Sequence, residues 1–167
     1  FFKYLTYLGD GSFAVLIILI IFFYKIRYAV IGLVGFVTSG LFTQLLKRQL
    51  FEDHFRPSKV FESMADLHLV DGVHLYSRYS FPSGHSTTAF ALFLFLAFLA
   101  PVKWLRSVCF GLAVLTAMSR VYISQHFFED VYAGSLIGFT IMYASIIFIN
   151  SKTWGDKGLF SKFDKKG

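Results

Sequence analysis

Five apolar runs, each closed off by charge or by a polar stretch, set the limits on what this chain can become: roughly residues 12–24, 28–46, 85–100, 104–119 and 131–150. Crossing the hydrocarbon core of a bilayer takes about 20 apolar residues in a helix. The first and fourth runs fall short by about a turn or more, so charged residues must sit within the bundle or snorkel to its surface. A composition of 56% hydrophobic and 20% aromatic residues points the same way, away from water as the solvent. The expected fold is all-α, a polytopic transmembrane helical bundle. It should form one domain over residues 1–167, since no linker, repeat or low-complexity stretch divides the chain. The chain opens on Phe1 rather than Met, and the expectation is that a sixth crossing has been lost upstream.

Charge placement orients the bundle. Lys25 and Arg27 lie between the first two runs, Lys103 and Arg106 around the start of the fourth, and Lys152, Lys157, Lys162, Lys165 and Lys166 after the fifth. The positive-inside rule assigns these three segments, including the tail 151–167, to the cytoplasm. The opposite face then receives residues 1–11, read as an interfacial segment, the connection 47–82, and the turn 120–130. The net charge of +6 forms no contiguous stripe, so no nucleic-acid partner is expected. Cys109 has no second cysteine to pair with and reads as packing. The phenylalanines at helical spacing read as bundle packing and acyl-chain contacts.

That outer face carries four cations, Lys47, Arg48, Arg56 and Arg120, that topology does not explain. It also carries two segments with chemistry in them. The first, Tyr79-Ser80-Phe81-Pro82-Ser83-Gly84-His85-Ser86, stands directly before the third run. Pro82 restricts the entry, Ser83 suits an N-cap, and Gly84 lets a ligand approach the backbone, so free amides and the positive dipole end would face an anion. The second segment runs from Ser119 and Arg120 to His126 and Asp130. If a helix starts near His126, both His126 and Asp130 lie on one face; the carboxylate then accepts the Nδ1 proton and Nε2 is free to attack. Arg120, with Lys47, Arg48 and Arg56, offers donors for a phosphoryl group and its transition state. His85 is placed to protonate a leaving oxygen and then to deprotonate water.

Singly, such residues are more often interfacial or topological anchors. Together they are not: Pro-Ser-Gly-His arises by chance in a chain of this length with a probability on the order of one in a thousand, and the second pattern is similarly improbable.

At these residues the sequence resembles the type 2 phosphatidic acid phosphatase superfamily, whose motifs are Lys-x6-Arg-Pro, Pro-Ser-Gly-His and Ser-Arg-x5-His-x3-Asp. The last two match without a gap, and Ser119 and Pro82 belong to them. The first departs: Arg56-Pro57 is present, but Gln49 stands seven before Arg56, and Lys47 two residues further back. A bulge over residues 51–54 would bring Lys47 in, with Arg48 as the competitor. The resemblance implies a membrane-integrated lipid phosphatase, usually of six crossings and without a metal cofactor. It implies His126 as nucleophile, His85 as proton donor, and phosphate contacts from Lys47, Arg56, Ser83, Gly84 and Arg120.

The implied substrate is a lipid phosphate or diphosphate among membrane lipids, undecaprenyl diphosphate or phosphatidylglycerol phosphate being favoured over phosphatidic acid and lipid A, with no obligate protein partner. The implied location is a bacterial inner membrane with the site facing outward. Transfer to an acceptor other than water, a soluble ester substrate and a catalytically silent lipid binder or transporter are the competing readings. A divalent-metal site on Asp53, His54, Asp66, His68, Asp71 and His74 matches no recognised spacing, and that loop reads better as a lid. Glu129 reads as a solvated helix-start charge.

Overall fold

A computed structural model describes residues 1–61 and 69–151. Among them all regular structure is helical: α1 (Phe2–Leu5), a 3₁₀ turn (Thr6–Gly9), α2 (Gly11–Tyr24), α3 (Ile26–Gln49), α4 (Pro57–Val60), α5 (Gly84–Leu99), α6 (Lys103–Tyr122) and α7 (Phe128–Asn150). The five apolar runs correspond to α2, α3, α5, α6 and α7. Asp66, His68 and the basic residues of the tail from Lys152 onward lie outside the described residues.

The helix ends differ from the sequence expectation where it matters most. α3 continues to Gln49, α6 to Tyr122, and α7 begins at Phe128. Apolar runs stop at the first charge, but helical hydrogen bonds are indifferent to side-chain polarity, so Lys47, Arg120 and Asp130 ride on helices rather than in connections. By length and composition α3, α6 and α7 are each able to cross a membrane alone, while the segment Phe2–Gly9 and α2 qualify together but are bent by 55°. α5 is apolar but has 16 residues, about 24 Å at the helical rise per residue.

α5 occupies the middle of the bundle, against α3, α6 and α7. Helices in lipid gain no hydrophobic drive toward one another, so close approach rests on small residues. Gly134 and Gly138 of α7 provide it, since a Cβ on either would overlap the carbonyl oxygen of Ser83 or Thr87 respectively. Gly32 and Gly35 of α3 do the same against the Phe95 ring and Met142. One apolar cluster gathers Ile31, Ala91, Phe95, Met142 and Ile146. A second holds Ala89, Phe93 and Ala113, with Cys109 packed beside it. Leu16, Leu19, Leu41, Leu45, Phe110 and Phe148 point outward, as side chains do when the solvent is hydrocarbon. The protein is an integral membrane protein.

The two ends of the bundle are chemically distinct. At one, Tyr28 and Phe98 stack edge to face at 5.9 Å, Lys25 and Arg27 cover the Tyr28 ring, and Arg106 donates to the Ala100 carbonyl. At the other, α1 packs its Phe2 ring against Tyr122 in the last turn of α6, 4.5 Å between centroids, and Lys3 Nζ donates to the Asp71 carbonyl.

The glycine contacts carry a prediction. Gly138→Val should force α5 and α7 apart, at the roughly 1–3 kcal/mol typical of overpacking or more, and lower both the yield and the melting temperature of detergent-extracted protein. Gly111→Ala, where a Cβ meets nothing within 4 Å, should leave both unchanged.

Candidate active site

Ser83 caps α5: its Oγ accepts from the Ser86 amide at 3.4 Å and from Ser86 Oγ at 3.0 Å. Pro82 is buried just before it, and at Gly84, the first helical residue, a Cβ would meet nothing within 4 Å, so open space lies above the first-turn amides. The Ser83 amide donates to the Asp130 carbonyl at 2.9 Å, which ties the start of α5 to the start of α7.

His126 precedes α7 instead of opening it, because Phe127 is the N-cap. The pairing with Asp130 forms nonetheless. Ser124 turns the chain with φ 56°, and the amides of Gln125 and His126 both donate to the Arg120 carbonyl, at 3.0 and 3.2 Å. Asp130 Oδ2 then lies 3.3 Å from His126 Nδ1, while accepting from the Phe127 amide at 2.9 Å and from Ser80 Oγ at 2.5 Å. Both members are almost fully buried, His126 at 3% and Asp130 at 1% exposure. Burial holds the imidazole well below its ordinary pKa; the Asp130 hydrogen bond opposes this, and the charges of Arg56, Lys47 and Arg120 reinforce it. At neutral pH the ring is therefore neutral. An acceptor carboxylate at Nδ1 favours the tautomer that leaves the Nε2 lone pair exposed to reaction.

Three buried cations surround this pair. Lys47, in the last turns of α3, donates from Nζ to the Tyr79 carbonyl at 3.0 Å. Arg56 donates from Nε to the Arg78 carbonyl at 3.0 Å, and from Nη1 to the Gln125 carbonyl at 3.2 Å and its side-chain oxygen at 2.9 Å. The Tyr76 ring lies 5.3 Å from that guanidinium. Burial pulls the pKa of Arg56 down, with Asp130 and Tyr76 pulling back; an arginine stays protonated across any working pH. Arg120 donates from Nη1 to Thr6 Oγ1 at 2.8 Å, and its buried Nε has no hydrogen-bond partner among the described residues. A donor left unsatisfied inside a protein is costly unless a ligand meets it.

Of the competing basic residues, Lys47 is buried in the cluster and Arg48 is exposed, at the mouth of a polar cavity it shares with Gln44, Lys47, Glu52, Arg56 and Tyr79. α3 ends in a turn at residues 50–53, its Phe51 amide reaching back to the Leu46 carbonyl, where the bulge was expected. Ser119 is buried but donates to the Thr116 carbonyl at 2.6 Å, within its own helix and away from the cluster. His85 is partly exposed, its Nε2 3.1 Å from Asp10 Oδ1, and it lies within electrostatic range of Arg120, His126, Arg56 and Lys47. Glu129 is exposed in the first turn of α7.

The sequence reading missed Asp10, Thr6, Tyr76, Ser80 and Gln125. Ser80 and Gln125 sit inside the two segments singled out, so adjacency was an available signal. Thr6, Asp10 and Tyr76 are brought in by the fold alone. Among the loop acids and histidines, the His54 ring packs edge-on against Phe51 and tilted against Phe81, and the His74 ring is tilted against Tyr76. Among the described residues no group of three or more His, Cys, Asp or Glu side chains is placed to hold a metal ion.

Comparison with known proteins finds relatives of this chain. Phosphatidylglycerophosphatase B of Bacillus subtilis (strain 168) is 33% identical over 153 residues, spanning 83% of this chain and 69% of that protein. A lipid A 1-phosphatase of Rhizobium johnstonii is 38% identical over 105 residues, spanning 61% of this chain and 40% of that protein. The crystal structure of a transmembrane PAP2 type phosphatidylglycerolphosphate phosphatase from Bacillus subtilis superposes with a TM-score of 0.72 at 30% identity, covering 91% of this chain and 76% of that one. The sequence model of the PAP2 superfamily matches residues 28–154, from α3 through α7 and past its end. The chain belongs to the PAP2 superfamily.

Proposed function

We propose that this protein is a lipid phosphate phosphatase that works through a phosphohistidine on His126. The observation that carries the reading is the buried neutral imidazole, held at Nδ1 by Asp130 and encircled by Lys47, Arg56 and Arg120. In the first step the Nε2 lone pair attacks phosphorus, the bond to the lipid oxygen breaks, and His85 gives that oxygen a proton. In the second, His85 removes a proton from water, the new oxygen–phosphorus bond forms, the phosphorus–nitrogen bond breaks, and inorganic phosphate leaves. The three cations, the unpartnered Nε of Arg120 and the first-turn amides of α5 face the charge that develops on the equatorial oxygens. Ser80 supports the pair from the side by donating to Asp130.

Two substrate readings have support. Likeness to the phosphatidylglycerophosphatase favours phosphatidylglycerol phosphate, with undecaprenyl diphosphate as a lipid of the same kind. Likeness to the lipid A 1-phosphatase favours a sugar-linked lipid phosphate. The basic residues at the far end of the bundle, Lys25, Arg27, Lys103 and Arg106, support a bacterial inner membrane with the site outside.

Four expectations follow. With purified protein and a panel of phosphatidylglycerol phosphate, undecaprenyl diphosphate, phosphatidic acid and lipid A, one lipid should release phosphate fastest. His126→Ala should abolish release while remaining extractable, and Asp130→Asn should slow it by about 100-fold or more; unimpaired turnover by either folded variant would sink the mechanism. Because Lys47, Arg56 and Arg120 supply the positive charge, activity should survive excess EDTA, and loss restored by magnesium or zinc would overturn that assignment. In a Cys109→Ser background, Arg78→Cys should react with an impermeant maleimide on intact cells, and Lys103→Cys only after permeabilisation. The reverse pattern would invert the proposed topology.

A further inference from the structure

Asp10 stands at the N-cap of α2, the position where an aspartate ordinarily accepts from its own helix's amides. Its side chain makes no such bond. Instead Oδ1 lies 3.1 Å from His85 Nε2, with both side chains about one-third exposed, 38% for Asp10 and 31% for His85. The approach is built into the backbone. At Gly9 a Cβ would come within 2.8 Å of the His85 carbonyl oxygen and 3.1 Å of Thr116, so only glycine brings the 3₁₀ turn this close to the start of α5. The Asp10 amide donates to the Tyr7 carbonyl at 3.1 Å, which fixes the residue that follows the turn. Both side chains also face one cleft, shared with Gly11, Phe36, Gly40 and Thr43.

The electrostatics of His85 call for such a partner. Its charged neighbours Arg120, Arg56 and Lys47 are all cations, with the His126 ring nearby. Asp130 is committed to His126, Ser80 and the Phe127 amide. The carboxylate in direct contact with His85 is that of Asp10.

We propose that Asp10 is the positioning residue for His85: its carboxylate accepts the Nε2 proton, fixes the ring and offsets the positive charge on it. Nδ1 is then the nitrogen that gives a proton to the leaving oxygen and later takes one from water. The site thus holds two histidine–aspartate pairs of opposite sense, Asp130 at Nδ1 of His126 and Asp10 at Nε2 of His85. This rests on the reaction scheme proposed above.

The test uses the leaving group. An alkoxide from phosphatidic acid cannot depart without a proton, whereas p-nitrophenolate can, so kcat/KM for p-nitrophenyl phosphate is insensitive to loss of the acid. Asp10→Asn keeps the size and the helix-capping capacity of the side chain, and Asp10→Ser, also a good cap, is the second variant should the first fold poorly. Each should lower kcat/KM on phosphatidic acid by about tenfold or more, within the roughly 100-fold or greater contribution of a general acid, and change it less than about threefold on p-nitrophenyl phosphate. His85→Gln should show the same selectivity more strongly. If His85→Gln is selective and the Asp10 variants match the parent, the Asp10 assignment fails and the scheme stands. If the Asp10 variants lose equally on both substrates, their role is structural and the proposal is overturned. If His85→Gln itself loses equally on both, the acid assignment fails and the proposal with it.

Discussion

A carboxylate buried to 1% exposure in a membrane protein persists only with hydrogen-bond donors around it. At Asp130 the main-chain carbonyl takes the Ser83 amide, and the side chain takes the Phe127 amide, the Ser80 hydroxyl and the His126 ring. One residue therefore joins the start of α5, the start of α7, the outer connection and the imidazole. Its negative charge also offsets those of Lys47 and Arg56 out of bulk water, while Arg120 faces the carboxylate of Asp10. Removing one member of such a network leaves the others desolvated and unpaired, so the loss exceeds that of a single bond.

That network needs its two helices in register and nearly touching, which is the office of Gly134 and Gly138. The glycines lie one and two turns beyond Asp130 on α7, and the carbonyls they admit belong to Ser83 and Thr87 on α5. Thr87 in turn donates to the Ser83 carbonyl at 3.0 Å and lies 3.1 Å from the hydroxyl of Thr43 on α3, one turn before Lys47. Packing and polar bonding thus reinforce each other along one seam, and the lysine is delivered by the helix that the seam holds in place.

Much of this was legible from residue order, for local reasons. Apolar runs announce helices, and a Pro-Ser-Gly-His start announces a capped one. The spacing of His126 and Asp130 announced their contact, although for an inexact reason: the ring reaches the carboxylate from outside α7, through a reversal at Ser124, and not along a shared helix face. The choice between Lys47 and Arg48 was not legible, because adjacent residues on a helix differ in direction by about 100° and the burial of one depends on how the whole helix is rotated. Nor were Thr6 and Asp10, whose partners Arg120 and His85 lie far along the chain. Such contacts exist only once the bundle has closed.

The unpartnered Nε of Arg120 has a meaning beyond chemistry. A buried donor beside two further buried cations is an unfinished electrostatic arrangement, and an anion completes it. If the site takes phosphate as proposed, phosphate or a transition-state mimic such as vanadate would meet this arrangement in the folded chain and nothing comparable in the unfolded one. By mass action such binding would deepen the folded state. On the proposed reading the folded bundle is a three-cation half of a complex, and its heat resistance would rise with the phosphate content of the surrounding water.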